Sequence, residues 1–384
     1  MDNNHLTYFK IENFKKFDSL EVNDIGQFNL IVGDNNVGKT CLLEALLIDE
    51  DIDKCIENLH NTLCKRNLHI HPLRIHSKNP VFPEKNYFDY LKNKTSNKFI
   101  TINWKNEKSS FNFKFEDKRI EELEELDFEK EVKNNYDIGR PNLWIKTYIN
   151  DEYNNLQFMY LDDFKTKFSH GYQPFISKDA GFNIDVNRYY AEEIGLGDNE
   201  IISSGIDDDS FVNLKVKSLS YNDQQDFIKT LSVFFEDIEN VMIKSYFDRD
   251  ILSLKLKRNE DYVPITYYGD GVNQYIRYIL EIYKCKSNRI MIDEIATGIH
   301  YSKMESFWIN IFKICKELEV QLFATTHSQE CTEAFVKASE NLDIVNNIRL
   351  IKLEESTKKE KIYVSTFNHN QISAGIESNV ELRG

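Results

Sequence analysis

The sequence contains few glycines and prolines, no paired cysteine motif and no long apolar run. Its 14 Gly and 6 Pro in 384 residues argue against long disordered linkers. The six cysteines lie far apart without a C-x-x-C pair, which predicts reduced core residues in a cytosolic protein. Because the amino terminus has no apolar signal core and no run of about 18 apolar residues occurs, we expect a cytoplasmic location without export or membrane spanning.

Basic side chains are fewer than acidic ones. The 48 Lys and Arg residues and 63 Asp and Glu residues give a formal net charge of −15. The chain as a whole therefore does not indicate nucleic-acid binding, although a local basic face is compatible with this composition. The length fits two or three average domains, or one large α/β domain with an insertion.

Residues 29–47, NLIVGDNNVGKTCLLEALL, combine a strand pattern, a glycine-containing loop and a helix pattern. Gly33, Gly38, Lys39 and Thr40 complete the G-x-x-x-x-G-K-T spacing of a phosphate-binding loop. Small residues let successive backbone N–H groups surround the phosphates, and the following helix presents its positive end to the same anion. We expect Lys39 to reach the β- and γ-phosphates of ATP and the Thr40 hydroxyl to bind Mg²⁺. The expected nucleotide-binding residues are Asn35, Asn36, Val37, Gly38, Lys39, Thr40 and Cys41.

An acidic pair follows a second apolar strand pattern in RIMIDEIATGIH, residues 289–300. Adjacent residues at a strand end point in different directions, so Asp293 and Glu294 can take different roles. We expect Asp293 to bind Mg²⁺ and Glu294 to polarise the attacking water. An acidic pair in this position is usually only a helix N-cap, and the segments that follow it favour the functional interpretation.

The next segments predict a helix over residues 302–318 and a strand over Val320–Thr325 that ends in Thr326, His327 and Ser328. Strand, acidic pair, helix, strand and polar terminus is the order of a parallel sheet, whose ligands bind at the carboxyl ends of the strands. An isolated histidine is more often structural. In this position we expect His327 to sense or orient the γ-phosphate.

A second glycine-led helix begins within YYGDGVNQYIRYILEIYK, where Gly269, Asp270 and Gly271 precede an apolar helical face. Its distance from the phosphate loop would be unexplained in a single subunit. A head-to-tail pair explains it, because each subunit then closes the nucleotide site of the other.

The remaining patterns predict local elements. Residues 6–22 predict two strands, and the lysines of their turn, Lys15 and Lys16, are equally compatible with a nucleotide contact and a solvated turn. Alternating residues over 100–115 predict a hairpin that covers one face of a small sheet, and the acidic stretch 116–131 predicts a solvated helix. One amphipathic helix is predicted from Leu231, Phe234, Phe235, Ile238 and Val241, and a further hairpin from residues 252–265.

These motifs together resemble a known family. The matching segments are FKIENFKKF, GDNNVGKT as Walker A, GDGVNQYI as the signature, IMIDE as Walker B, IATGIH as the D-loop and ATTHS as the histidine switch. The chain resembles the ABC-type ATPases of the RecF, SMC and OLD group, and most of all their compact AAA-15 or AAA-21 relatives. The resemblance implies an α/β ABC-type P-loop fold with a mixed sheet, an N-terminal antiparallel β-subdomain and a mixed α+β insertion. It assigns residues 1–60 and 250–384 to a composite ATPase domain, and residues 61–249 to an insertion with a hairpin, an acidic helix and a mixed helical lobe.

The sequence also departs from that family. The signature reads GDGVN rather than LSGGQ, and Gln157 and Gln173 are both candidates for the Q-loop glutamine. The insertion lacks the sustained heptads of an SMC-like arm, and we expect no Toprim nuclease domain after the ATPase domain.

The resemblance therefore implies a stand-alone ATP-hydrolysing switch that assembles as a head-to-tail dimer or higher homo-oligomer. Its implied partner is a separate effector, such as a Toprim nuclease or toxin in antiphage defence. The alternative is a RecF-like repair ATPase whose ATP-bound dimer clamps DNA. Salt-dependent DNA affinity that appears only with ATP would distinguish this alternative.

Overall fold

A computed structural model of the chain describes residues 5–47, 93, 99–119, 141–149, 152–160, 175–176, 180–181, 201–202, 221–234, 238–246, 249–258, 261–356 and 361–378. The strands of the first half are β1 (Tyr8–Phe14), β2 (Phe17–Asn23), β3 (Phe28–Gly33), β4 (Phe99–Lys105), β5 (Ser110–Arg119), β6 (Pro141–Ile149), β7 (Glu152–Tyr160), β8 (Phe175–Ile176) and β9 (Ala180–Gly181). Those of the second half are β10 (Ile201–Ile202), β11 (Ile238–Tyr246), β12 (Arg249–Leu256), β13 (Tyr262–Pro264), β14 (Arg289–Ile292), β15 (Gln321–Thr325), β16 (Ile348–Ser356) and β17 (Lys361–Asn368).

The described α-helices are α1 (Lys39–Ala45), α2 (Tyr221–Phe234), α3 (Asp270–Lys284), α4 (Met304–Glu317), α5 (Gln329–Asn341) and α6 (His369–Glu377). Short 3-10 turns span Ile265–Tyr267, Tyr301–Lys303 and Val345–Asn347. Among the residues described, none of the helices is long and apolar enough to cross a membrane.

The central sheet carries the phosphate-loop strand. Its order is β10-β14-β15-β3-β16-β17, with parallel pairing throughout except for the antiparallel pair β16–β17. Strands β3, β14 and β15 are buried along their whole length, as expected for parallel strands covered on both faces. Successive residues of β3 accordingly enter different cores: Leu30 lies in the core beside the helices, and Ile31 lies in the core beside the second sheet.

The second sheet is antiparallel, with the order β2-β1-β4-β5-β6-β7. Ile11 of β1 is paired with Leu20 on one side and with Ile102 of β4 on the other. The predicted hairpin therefore forms, but it extends this sheet edge to edge instead of covering a face, because the backbone of β4 pairs with that of β1. One sheet thus contains strands from both sides of the predicted boundary at residue 60.

Two predicted helices require correction. The apolar run around Leu231 does not form one helix: α2 ends at Phe234, and Ile238 and Val241 lie on β11. Apolar residues at this spacing fit the period of a helix and that of a strand. These residues form a strand because they pair antiparallel with β12. The predicted acidic helix is wrong at its start, because β5 continues to Arg119 by pairing with β6; residues 120–131 lie outside the described part.

Strand β12 also pairs with β13, which gives the three-stranded sheet β11-β12-β13 and confirms the hairpin predicted over residues 252–265. Ile265 itself begins the following 3-10 turn. Because β11 and β12 are paired, this sheet includes residues from both sides of the predicted boundary at residue 249.

Trp308 lies at the centre of the helical core. Its side chain is fully buried, with ring centroids 5.4 Å from Phe312 and 4.9 Å from Phe335. Its Nε1 donates a hydrogen bond of 3.2 Å to the Cys331 carbonyl oxygen. The indole therefore joins α4 to α5, the helix that directly follows the predicted histidine switch.

We expect Trp308→Ala to lower the free energy of unfolding by about 3 to 5 kcal/mol, because it leaves a large cavity and removes the indole hydrogen bond to α5. Chemical denaturation followed by circular dichroism measures this loss. Met242→Ala is the control: Met242 is 40% exposed on β11, and we expect a change of no more than about 1 kcal/mol. Equal effects of the two substitutions would contradict the central packing role of Trp308.

Candidate functional site

The phosphate-loop segment between β3 and α1 has an unusual backbone. Gly33, Asn36 and Gly38 have φ angles of 147°, 63° and 109°, in the region that favours glycine. A Cβ on Gly33 would lie 2.4 Å from the Leu353 carbonyl oxygen, so the close approach of β16 also excludes a side chain there. The turn therefore requires glycine at position 33 and favours it at position 38, as the G-x-x-x-x-G spacing of the sequence provides.

Lys39 lies almost entirely buried at the start of α1. Its Nζ donates hydrogen bonds to the carbonyl oxygens of Gly33 at 2.8 Å and Asp34 at 2.9 Å. Burial lowers the pKa of Lys39, and the nearby carboxylates of Glu294 and Asp293 oppose that decrease. The ammonium group thus lies both against the phosphate loop and in the field of the acidic pair.

Thr40 and Asp293 are in direct contact although 253 residues separate them. The Thr40 Oγ1 donates a hydrogen bond of 2.9 Å to Asp293 Oδ2, and the Thr325 Oγ1 donates one of 2.5 Å to Asp293 Oδ1. Thr40 and Asp293 both offer oxygen atoms, the ligand type that Mg²⁺ takes in proteins. The two residues therefore suit the metal role that their sequence positions predict.

Glu294 lies beside His327. The His327 Nε2 is 3.1 Å from Glu294 Oε1, and both side chains are 36% exposed. Glu294 has a φ of 55°, in the left-handed region, and its backbone N–H donates to the Thr325 hydroxyl at 2.8 Å. A partly exposed carboxylate next to an imidazole is able to orient a water molecule and accept its proton.

The strand order explains why these groups meet. β15, which ends just before His327, lies between β14, which leads to Asp293, and β3, which leads to the phosphate loop. The three strands are parallel, so their carboxyl ends lie at the same edge of the sheet. The structure thereby brings together Lys39, Thr40, Asp293, Glu294 and His327.

The glycine-led amino end of α3 contacts the loop that follows β14. A Cβ on Gly271 would lie 2.2 Å from the Gly298 carbonyl oxygen, whereas nothing lies within 4 Å of a Cβ on Gly269. Asp270 is the first residue of α3, and Gly269 is exposed just before it. Two strongly exposed aromatic residues flank these loops in sequence, Tyr267 at 81% and Tyr301 at 71%.

The other residues of the phosphate loop differ in exposure. Asn35 is exposed, whereas Val37 is buried in the core beside the antiparallel sheet, and Cys41 is partly exposed and packs against the same core. Asn35 and Cys41 are therefore the more accessible of these three predicted nucleotide-binding residues.

The two lysines of the β1–β2 turn have different partners. Lys15 forms an ion pair with Glu44 of α1, and both side chains are nearly buried. Lys16 donates a hydrogen bond to the Asn36 carbonyl oxygen within the phosphate loop. Lys15 is thus engaged in packing the turn onto α1, and Lys16 contacts the backbone of the loop itself.

The structure describes only Gln157 of the two candidates for the Q-loop glutamine. Gln157 lies on β7, at the edge of the antiparallel sheet and opposite Ile145. Gln173 lies outside the described residues. The assignment of a Q-loop glutamine stays a prediction.

Thr325 is the site residue that the sequence reasoning missed. It ends β15, is fully buried, and its hydroxyl contacts both members of the acidic pair. The available signal is a polar residue directly after the apolar run Leu322–Ala324, at the last position of β15. Its contacts with Asp293 and Glu294 depend on strand order, which a sequence pattern does not contain.

Comparisons with known proteins agree with these motifs. Residues 28–331 match the AAA_21 family, described as "AAA domain, putative AbiEii toxin, Type IV TA system". An "ATP/GTP phosphatase" of Helicobacter pylori (strain ATCC 700392 / 26695) is 24% identical over 359 residues, covering 90% of this chain and 91% of the relative.

Solved structures show a distant likeness. An SMC head domain from Thermotoga maritima has 12% identity and a TM-score of 0.42, and covers 95% of this chain and 99% of that chain. An Smc head domain with an extended coiled coil, bound to the C-terminal domain of ScpA derived from Pyrococcus furiosus, has 10% identity and a TM-score of 0.46. That comparison covers 98% of this chain and 99% of the other.

The family match begins at β3, includes the phosphate loop and the acidic pair, and ends just beyond the predicted histidine switch. It spans more than three quarters of the chain. The chain therefore belongs to the AAA_21 family and is an ATPase.

Proposed function

We propose that this ATPase is a molecular switch that assembles head to tail around ATP and Mg²⁺ and controls a separate effector. The observation that carries the proposal is the contact between Thr40, from the phosphate loop, and Asp293, from the acidic pair. This contact makes one site from residues that are 253 positions apart in the chain. The Lys39 ammonium and the Glu294 carboxylate lie within the same site.

The residues divide the work of phosphoryl transfer, which requires mainly positioning and charge neutralisation. Lys39 holds the phosphates, while Thr40 and Asp293 hold Mg²⁺, which supplies charge neutralisation when bound. Glu294 orients the attacking water and accepts its proton. His327, 3.1 Å from Glu294, orients that carboxylate and senses the γ-phosphate.

A second copy of the chain completes the site in this proposal. Gly269 is exposed and has open space around it, so the amino end of α3 is accessible to another subunit. The exposed rings of Tyr267 and Tyr301 provide aromatic surface of the kind enriched at interfaces. The backbone N–H groups at the start of α3 would approach the nucleotide held by the partner's phosphate loop.

One comparison supports nucleotide hydrolysis, and another supports a toxin–antitoxin context. The relative from Helicobacter pylori is named for ATP and GTP hydrolysis. The family description refers to an AbiEii toxin and to a type IV toxin–antitoxin system. We therefore propose that the partner is a nuclease or toxin and that the switch acts in antiphage defence.

The catalytic role of Glu294 is directly testable. We expect Glu294→Gln to retain ATP binding and to lower kcat by about 10²- to 10⁴-fold, because an amide does not accept the proton of the water. Phosphate release measures turnover, and a fluorescent ATP analogue measures binding. Glu355→Gln, at an exposed position of β16, is the matched control and should keep normal turnover. Normal turnover of Glu294→Gln would remove this residue from its proposed role.

Cys41 provides a direct probe of nucleotide binding. It is partly exposed and follows Thr40, whereas Cys331 is fully buried, and burial raises the pKa of its thiol to about 12. We expect iodoacetamide to alkylate Cys41 much faster than Cys331, and ATP with Mg²⁺ to slow the reaction at Cys41. Peptide mass spectrometry measures both rates. Alkylation of Cys41 that is insensitive to ATP, in a protein that hydrolyses ATP, would contradict its place at the site.

The head-to-tail assembly is testable by mixing two inactive variants. Gly269→Glu has room in its own chain but would place a carboxylate in the partner's nucleotide site, and Lys39→Ala removes the phosphate contact. Each variant alone should be inactive. An equal mixture should recover about one quarter of wild-type turnover, because random two-fold pairing leaves one intact composite site in half of the dimers. Absence of recovery despite mixed dimers, shown by native mass spectrometry, would contradict the shared site.

A further inference from the structure

Thr325 contacts three consecutive residues of the loop that begins with the acidic pair. Its Oγ1 donates to Asp293 Oδ1 at 2.5 Å and accepts from the Glu294 backbone N–H at 2.8 Å. Its carbonyl oxygen accepts from the Ile295 backbone N–H at 3.0 Å. One residue of β15 therefore fixes the path of the chain at the end of β14.

The hydroxyl of Thr325 is used as both donor and acceptor. A threonine hydroxyl has one proton to donate, and here Asp293 receives it, while a lone pair receives the N–H of Glu294. Thr325 is fully buried, so water does not readily replace either contact. Without the hydroxyl, the Glu294 N–H and one Asp293 oxygen would both lose their partner.

The geometry of Glu294 makes this support important. Its φ of 55° is a conformation that residues other than glycine rarely adopt, and such a backbone persists only where its surroundings hold it. The next turn is closed by a hydrogen bond of 3.0 Å from the Thr297 N–H to the Glu294 carbonyl oxygen. Thr325 thus holds Glu294 on its amino side, while the turn holds it on its carboxyl side.

The same hydroxyl also orients Asp293. The two carboxylate oxygens have separate partners, since Oδ1 accepts from Thr325 and Oδ2 accepts from Thr40. The Thr325 contact therefore turns the other oxygen toward the phosphate loop. A single side chain sets the orientation of the proposed metal ligand and of the proposed base.

We propose that Thr325 is the positioning residue of this site and couples the direction of the Asp293 carboxylate to the backbone conformation of Glu294. This inference rests on the proposed roles of the two acids in ATP hydrolysis. Thr325 itself does not touch the substrate in this proposal. It acts through hydrogen bonds to Asp293, the proposed metal ligand, and to Glu294, the proposed base.

The test compares Thr325→Val, which keeps the shape and removes the hydroxyl, with Thr325→Ser, which keeps the hydroxyl. We expect Thr325→Val to lower kcat by about 10- to 100-fold and to raise the Mg²⁺ concentration at half-maximal turnover, with a small change in the affinity for an ATP analogue. Thr325→Ser should restore most of both values. Thr332→Val is the matched control, because Thr332 is also buried but its hydroxyl donates to the carbonyl oxygen of Ser328, the N-cap residue of α5.

Hydrogen exchange supplies a readout that is independent of turnover. The Glu294 amide should exchange slowly in the wild type and in Thr325→Ser, and much faster in Thr325→Val. A merely structural role would lower the melting temperature of Thr325→Val without changing the kcat of the folded protein, and serine would give no rescue. Unchanged kcat and unchanged Glu294 exchange in folded Thr325→Val would overturn the inference.

The outcomes also separate this inference from the proposed function. If Glu294→Gln abolishes turnover and Thr325→Val does not lower it, the positioning role is wrong and the catalytic role stands. If Glu294→Gln hydrolyses ATP like the wild type, the proposed catalytic role of Glu294 is wrong, and that result does not affect the metal role of Asp293. In that second case Thr325→Val would slow turnover only through Asp293, and the proposed coupling of the two acids in catalysis is overturned.

Discussion

The hydrogen bond between Thr40 and Asp293 joins two segments on which the whole site depends. One segment is the phosphate loop near the amino terminus, and the other follows β14, with Asp293 lying 253 positions after Thr40. They meet because β15 occupies the place between β3 and β14 in a parallel sheet. Any rearrangement of that strand order would separate the nucleotide-binding residues from the acidic pair.

The site also contains several residues with positive φ angles. Gly33, Asn36 and Gly38 have positive φ angles in the phosphate loop, and Glu294 and Gly298 have them after β14. Such conformations cost free energy, and the packed sheet and helices around them supply the stability that keeps them. The close approach of Gly271 to the Gly298 carbonyl oxygen links the second loop to α3 as well. A movement of α3 would therefore displace the loop that begins with the acidic pair.

The predictions from sequence succeeded where the pattern was local and strongly periodic. The strands β1 and β2, the strand β14 and the helix α4 all lie where their patterns predicted them. They failed where two periods fit the same residues, as at Ile238 and Val241, which the pairing with β12 places on a strand. The position of the hairpin β4–β5 in the sequence was predicted correctly, but its packing was not. Its edge-to-edge pairing with β1 joins segments that are distant in the chain, and a local pattern does not contain that information.

The sequence alone determined the chemistry available to this protein: a phosphate loop, an acidic pair and a histidine, each at the end of a predicted strand. These are local spacings of residue types, and local spacing is what a sequence displays. Only the tertiary structure decided that Lys16 contacts the phosphate loop while Lys15 pairs with Glu44, and that Thr325 holds both acids. Those contacts join residues distant in the chain, and their existence follows from strand order and register, which form only when the sheet is assembled.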